Sequence, residues 1–152
     1  MSTTETDRVD AAVQRLRDAG LRRTRARLGV LHELAQAVGG QGHLTVTQLH
    51  HALLARGLAV ELSTVHRLLR QLVEVGVAHT VPTGRTLTFG LADIAHHHAI
   101  CAGCGDLRQL PAEAVAASVA AARAVGIEAD PSGHPTGVVV YGQCAGCRTM
   151  AR

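Results

Sequence analysis

The stretch LSTVHRLLRQLVEVGVAHTVPTGRTLTFGL, residues Leu62 to Leu91, changes its periodicity half-way along, and that change decides the fold. Val65, Leu68, Leu69 and Leu72 recur at helical spacing, which predicts a helix from about Ser63 to Glu74 with these side chains inward. Beyond Gly76 the pattern becomes that of strands. Val77–Val81 and Thr86–Phe89 flank Pro82-Thr83-Gly84-Arg85, which predicts a hairpin. A helix followed by a hairpin closes a winged helix-turn-helix, in which the helix enters the DNA major groove and the hairpin forms the wing.

Working outward, three more helices are predicted upstream. Val9, Ala12, Val13 and Leu16 keep helical spacing until Gly20. A second helix is expected from Thr24 to Val38, with Leu28, Leu31, Ala35 and Val38 inward and Gly39-Gly40 as its stop. Thr45 and Gln48 have capping-box spacing at the head of a third, which carries Val46, Leu49 and Leu53 and ends near Gly57. Downstream, Leu91–Ala95 reads as a hinge. His96–Cys101, Leu107–Leu110 and Val138–Tyr141 read as strands, with an Ala-rich helix from Pro111 to Gly126. The expected architecture is α+β, with a winged-helix domain over residues 1–91 and a small α/β domain over 92–152. A unit of about 60 residues is marginal alone and leans on a metal, a disulfide or a partner subunit.

Hydrophobic residues make up 47% of the chain, yet Phe89 and Tyr141 are its only aromatics, so the core is built from Ala, Val and Leu. Residues 1–92 carry eleven Arg against seven acids, whereas 93–152 carry four Arg against five acids. Seven of the Arg fall between Arg8 and Arg27, a basic footprint suited to nucleic acid, with a solvated helix face as the alternative. All fifteen basic residues are Arg, which reads as compositional bias, so the choice of Arg carries little weight of its own. No apolar run approaches the roughly 20 residues of a membrane span. Met1–Asp10 lacks the apolar core of a signal peptide, so a cytoplasmic location is expected. Thiols stay reduced there, which favours metal over disulfide.

Cys101-x-x-Cys104 and Cys144-x-x-Cys147, with Gly103, Gly105 and Gly146 in or beside them, are the strongest chemical signal. Such pairs present thiolates tetrahedrally to zinc, and a closed four-Cys site staples a fold rather than catalysing. Disulfides or a redox dithiol are the alternatives. His96-His97-His98 lies just upstream. In a strand His96 and His98 face one side and His97 the other, so one triplet can feed two metal sites. Surface or hydrogen-bonded histidines are the alternative. His43, before the third helix, and His79, in the first wing strand, are candidates to join His96 and His98 across the hinge. Glu113 and His134 are candidates to join His97. His32, His50 and His51 read as surface residues.

These residues carry a resemblance to the ferric uptake regulator family. The matching stretches are Leu21 to Leu28 (LRRTRARL), His43 to Val46 (HLTV), Leu62 to Leu69 (LSTVHRLL), His96 to Cys104 (HHHAICAGC) and Tyr141 to Cys147 (YGQCAGC). The resemblance implies a homodimeric winged-helix repressor that binds double-stranded operator DNA when loaded with metal, the second domain being the dimerisation domain. It implies structural zinc at Cys101, Cys104, Cys144 and Cys147, a sensory site including His43, His96 and His98, and a further site at His97. The chain departs from the family's pattern at His66, where Tyr is usual, and at Gly90, where the second wing strand commonly carries Glu, or Cys in zinc-sensing members. It departs again at His79 in place of an Asp of zinc sensors, at Ala95 in place of a His, and in the extra Pro135 and Thr136.

On the fourth helix Ser63, Thr64, His66, Arg67 and Arg70 lie opposite the leucine stripe and are expected to meet DNA. Arg67 suits a guanine edge, and Arg22, Arg23, Arg25 and Arg27 suit phosphates. A histidine-rich sensory site favours zinc first and nickel second, with iron or a peroxide-sensing iron site as the family's other options. An enzyme is not expected, because no HExxH or deaminase signature accompanies the histidines. No small organic substrate and no membrane partner are expected. The rival reading is a zinc-stapled DNA-binding protein that does not respond to metal.

Overall fold

The computed structural model describes residues 4–37, 42–93, 96–128 and 137–150. Its first half holds α1 (Glu5–Asp18), α2 (Arg25–Gln36), α3 (Val46–Ala55) and α4 (Leu62–Glu74). Threonines set the first three helix starts. Thr4 and Asp7 form a capping box, Thr24 accepts the Arg27 N–H, and Thr45 forms a capping box with Gln48. Each cap satisfies an otherwise orphaned N–H and contributes about 1 kcal/mol. The predicted second helix is thus shortened. Thr24 is its cap and Gln36 its last residue, while Val38, Gly39 and Gly40 lie outside the described residues.

Val65, Leu68, Leu69 and Leu72 are the buried face of α4, as its spacing predicts. They join Val9, Leu16, Leu31, Leu49, Phe89 and Leu91 in one core. Each fully buried leucine contributes roughly 1.5–3 kcal/mol, so this cluster is the main source of stability.

A three-stranded sheet closes the unit, in the order β1 (Leu44–Thr45), β3 (Thr86–Leu91), β2 (Ala78–Thr83). The hairpin is tighter than predicted: Thr83 pairs with Thr86, and only Gly84 and Arg85 form the turn. Gly84 has φ 62°, which supplies the positive torsion such a two-residue turn needs at its first position. Pro82 therefore sits within β2, paired with Leu87, and is tolerated because β2 is an edge strand. β1 was not foreseen, since two residues are too few to show alternation.

The second sheet has the order β5 (Leu107–Pro111), β4 (His96–Cys101), β6 (Val139–Gly142), with β4 antiparallel to β5 and parallel to β6. Pro111 pairs with His96 and precedes a 3-10 turn at Ala112–Val115, so the helix α5 starts only at Ala116 and ends at Ala124. A short α6 (Ala145–Met150), not predicted, follows β6. Neither α5 nor α6 contains a buried residue. The apolar core here is Ile100 and Leu107 with Val139 against them, completed by Val81 from the wing strand β2. Among the described residues no helix is long and apolar enough to cross a membrane.

Candidate metal centres

His43 precedes β1, His79 lies in β2, and His96 and His98 lie on one side of β4. Their side chains converge between the two sheets, with His43, His79 and His98 buried and His96 half-buried. The Nε2 atoms of His43, His79 and His98 form a close triangle, His43–His79 at 2.7 Å, His79–His98 at 3.4 Å and His98–His43 at 3.2 Å, and that of His96 lies 3.2 Å from His79. All four ligand atoms lie within 4.8 Å of one another. A neutral imidazole has one donor and one acceptor nitrogen, so four Nε2 atoms aimed at one point ask for a cation as their common partner. Tetrahedral zinc with metal–nitrogen bonds of about 2.0–2.1 Å needs nitrogen separations of about 3.3 Å, and the four close separations bracket that value. Sequence spacing left open whether His43 or His79 would reach the hinge. Both do.

Gly90, paired with His79 across the hairpin, borders this cluster. The segment that follows β3 is tied to α1. Arg8 makes an ion pair with Asp93 and donates to the Ala35 carbonyl at 2.6 Å, while Arg15 donates to the Ala92 carbonyl. The roles of Gly90 and Arg8 were missed from sequence. A glycine inside a strand was the available signal for the first, but nothing local signals the second.

The four cysteines form the other cluster. Cys101 ends β4, Cys104 lies in the following turn, Cys144 precedes α6 and Cys147 lies within it. None is in a disulfide, and the four sulfurs lie within 4.8 Å of one another, with Cys104 and Cys144 3.8 Å apart. Tetrahedral zinc with bonds of about 2.3 Å needs sulfur separations of about 3.8 Å. Gly103 is required by this closeness, because a Cβ there would stand 2.9 Å from the Cys147 Sγ. Backbone N–H groups of Cys144 and Cys104 hold the Cys101 thiol down at about 6. Hydrogen bonding with the Cys144, Cys101 and Cys104 sulfurs pushes Cys147 up to about 12. One thiolate is thus stabilised mainly by backbone donors, and a dication is the group that would let the others follow.

His97 points to the opposite side of β4, where it is 1% exposed and its Nδ1 accepts the Val138 N–H at 2.9 Å. Burial lowers its pKa, and His96 adds to the effect. Glu113 is exposed in the 3-10 turn, and among the described residues no metal-sized group includes it or His97. His134, the other candidate for that site, lies outside the described residues, as do Pro135 and Thr136.

On the outer face of α4, Ser63, His66, Arg67 and Arg70 are exposed and Thr64 half-buried. Between this face and the wing runs a cleft of about 450 Å³, whose lining includes His66, Arg67, Arg70, Thr80 and Leu87. Arg22, Arg23 and Arg25, just before and at the start of α2, are exposed. Arg27 differs: its guanidinium turns inward, donating to Gln71 of α4 at 2.7 Å and to the Arg22 carbonyl at 2.6 Å. His50, read as a surface residue, is half-buried and bonded to the Val60 carbonyl at 2.9 Å.

A profile described as the ferric uptake regulator family matches residues 18–128. The chain belongs to that family. It is 35% identical over 105 residues to the ferric uptake regulation protein of Legionella pneumophila, covering 67% of this chain and 75% of the relative. It is similar in structure to the ferric uptake regulator of Pseudomonas aeruginosa solved with manganese, with a TM-score of 0.69 and 28% identity, covering 88% of this chain and 98% of that one. A zinc uptake regulator complexed with zinc and DNA shares the fold, with a TM-score of 0.64 and 22% identity over 99% of each chain. The protein is accordingly a metal-responsive, DNA-binding regulator of the ferric uptake regulator type.

Proposed function

We propose that this regulator senses zinc at His43, His79, His96 and His98, and represses transcription by binding operator DNA as a homodimer when that site is filled. The observation that carries the reading is the donor set: four imidazole nitrogens within 4.8 Å of one another and no carboxylate among them. Such a set suits zinc, then nickel, over the oxygen-seeking manganese and over an iron site able to react with peroxide. A dication bound there supplies one link between the two halves of the chain. His43 and His79 come from the winged-helix unit, for which we assign residues 1–91, and His96 and His98 from the dimerisation unit, residues 92–152. Four ligands drawn equally from both sides fix the angle between the units. That angle sets whether two α4 helices match successive half-sites. Because the closed form favours both ligands, zinc and DNA tighten each other's binding by the same factor.

Ser63, Thr64, His66, Arg67 and Arg70 are assigned to the DNA-facing side of α4, with Arg67 as base reader. Arg22, Arg23 and Arg25 are assigned to phosphates. Arg27 serves the interface through Gln71, as a strut that holds α2 against α4. Cys101, Cys104, Cys144 and Cys147 hold structural zinc. Homodimer formation is supported by the exposed Val125, Ile127, Val140 and Tyr141, apolar residues a monomer would leave in water. A further metal site at His97 would draw on Glu113 and His134; among the described residues no metal-ligating group gathers there. DNA as the ligand implies a cytoplasmic location.

The test is binding to the protein's own promoter region, with the cysteine zinc retained and zinc, nickel, ferrous iron and manganese added in turn. Zinc should tighten binding at the lowest free concentration, and a His96→Ala, His98→Ala double variant should lose that response while keeping its cysteine zinc. A response to iron or manganese before zinc would overturn the metal assignment. Tight binding indifferent to every metal would overturn the sensor.

A further inference from the structure

Gly90 stands inside β3, directly opposite His79, where a glycine weakens a strand and so calls for a reason. Two reasons are usual: a positive φ, or another group too close to admit a side chain. Gly90 is not among the glycines of positive φ, so its backbone would accept alanine. The second reason is present. A Cβ built on Gly90 would lie 2.5 Å from His43 Nε2, 2.7 Å from its Cδ2 and 3.0 Å from its Cε1. The His43 ring is buried and in edge contact with the rings of His79, His96 and His98, at centroid distances of 4.8, 5.7 and 4.7 Å. It cannot yield to a Cβ and keep its Nε2 in the cluster.

We propose that Gly90 is the positioning residue that decides which metals this site accepts: the space left by its missing side chain seats the His43 imidazole and makes the donor set four neutral nitrogens. Alanine at 90 adds a Cβ and no donor atom, so it displaces His43 and leaves three histidines with an open position. The closed set matches tetrahedral zinc. The open one admits water and oxygen ligands, and so gives ground to metals of higher coordination number such as manganese. The inference rests on the sensory reading of the four histidines and adds what sets their number.

The test uses the full chain with cysteine zinc retained, in four forms: wild type, Gly90→Ala, His43→Ala and the double variant. Cobalt(II) is the spectroscopic probe, and competition with a chelator gives zinc affinity. Wild type should take a second metal equivalent with the intense visible bands of four-coordinate cobalt. Gly90→Ala should show the weak bands of higher coordination and lose about 10–100-fold in zinc affinity, the loss typical when a group that orients a ligand is removed. In the His43→Ala background the same substitution should change nothing further. A Gly90→Ala protein with wild-type bands and affinity overturns the proposal, as does equal damage in the His43→Ala background. Should Gly90→Ala fail to fold, recovery of folding in the double variant supports the clash with His43, and failure there overturns it. A wild-type chain that binds metal only at its cysteines overturns the sensory reading and this inference together.

Discussion

Cys101 is a thiolate at neutral pH, held down at about 6 by backbone donors, whereas Cys147 keeps its proton up to about 12. Four thiolates on zinc therefore require protons to leave, that of Cys147 among them. Zinc uptake at the cysteines should strengthen as pH rises and weaken as it falls across about pH 6 to 8. Calorimetry in buffers of different ionisation enthalpy should show net proton release, and an affinity indifferent to pH would contradict the assignment. At this scale the sequence was informative where chemistry is tied to spacing. The CxxC pairs and the alternation of His96 and His98 about His97 could be read directly. It was silent where a side chain's partner is distant in sequence. Arg27 reads as one more basic residue in a basic run, yet Gln71, forty-four positions away, turns it inward.

Among the elements, the helices were the most legible, because a buried stripe repeats over several turns and a threonine marks each of the first three starts. β1 and α6 were not, being two and six residues long. The contact of α1 with the segment after β3 was likewise invisible, since its polar face shows no periodic signal. Arg8 is largely buried there, bridging the Asp93 carboxylate and the Ala35 carbonyl in the last turn of α2. A hydrogen bond to a charged group contributes about 1.5–3 kcal/mol. Arg8→Ala should therefore lower the stability of the zinc-loaded protein by about that amount, read as a shift in urea midpoint. An unmoved midpoint would show that α1 only lies beside the hinge.

As a whole, the molecule is unevenly built. The winged-helix half has a continuous leucine-rich core, while among the described residues the apolar cluster of the second half is Ile100 and Leu107 with Val139, around Val81. So thin a core needs the cysteine cluster as part of its fold. Cys104→Ser should lose zinc and unfold the second sheet while α1 to α4 persist, as read by zinc content, circular dichroism and sedimentation. A zinc-free variant that stays folded and dimeric would refute this. The single strand β4 carries His96 and His98 on one side, His97 on the other and Cys101 at its end. Cys101 follows His98 by three residues, about 10 Å of extended chain. The proposed staple and the proposed sensor thus hang from one beam. Under those assignments, starvation deep enough to empty the cysteines would disarm the histidines as well, and the operator would be vacated whichever end of the beam gave way.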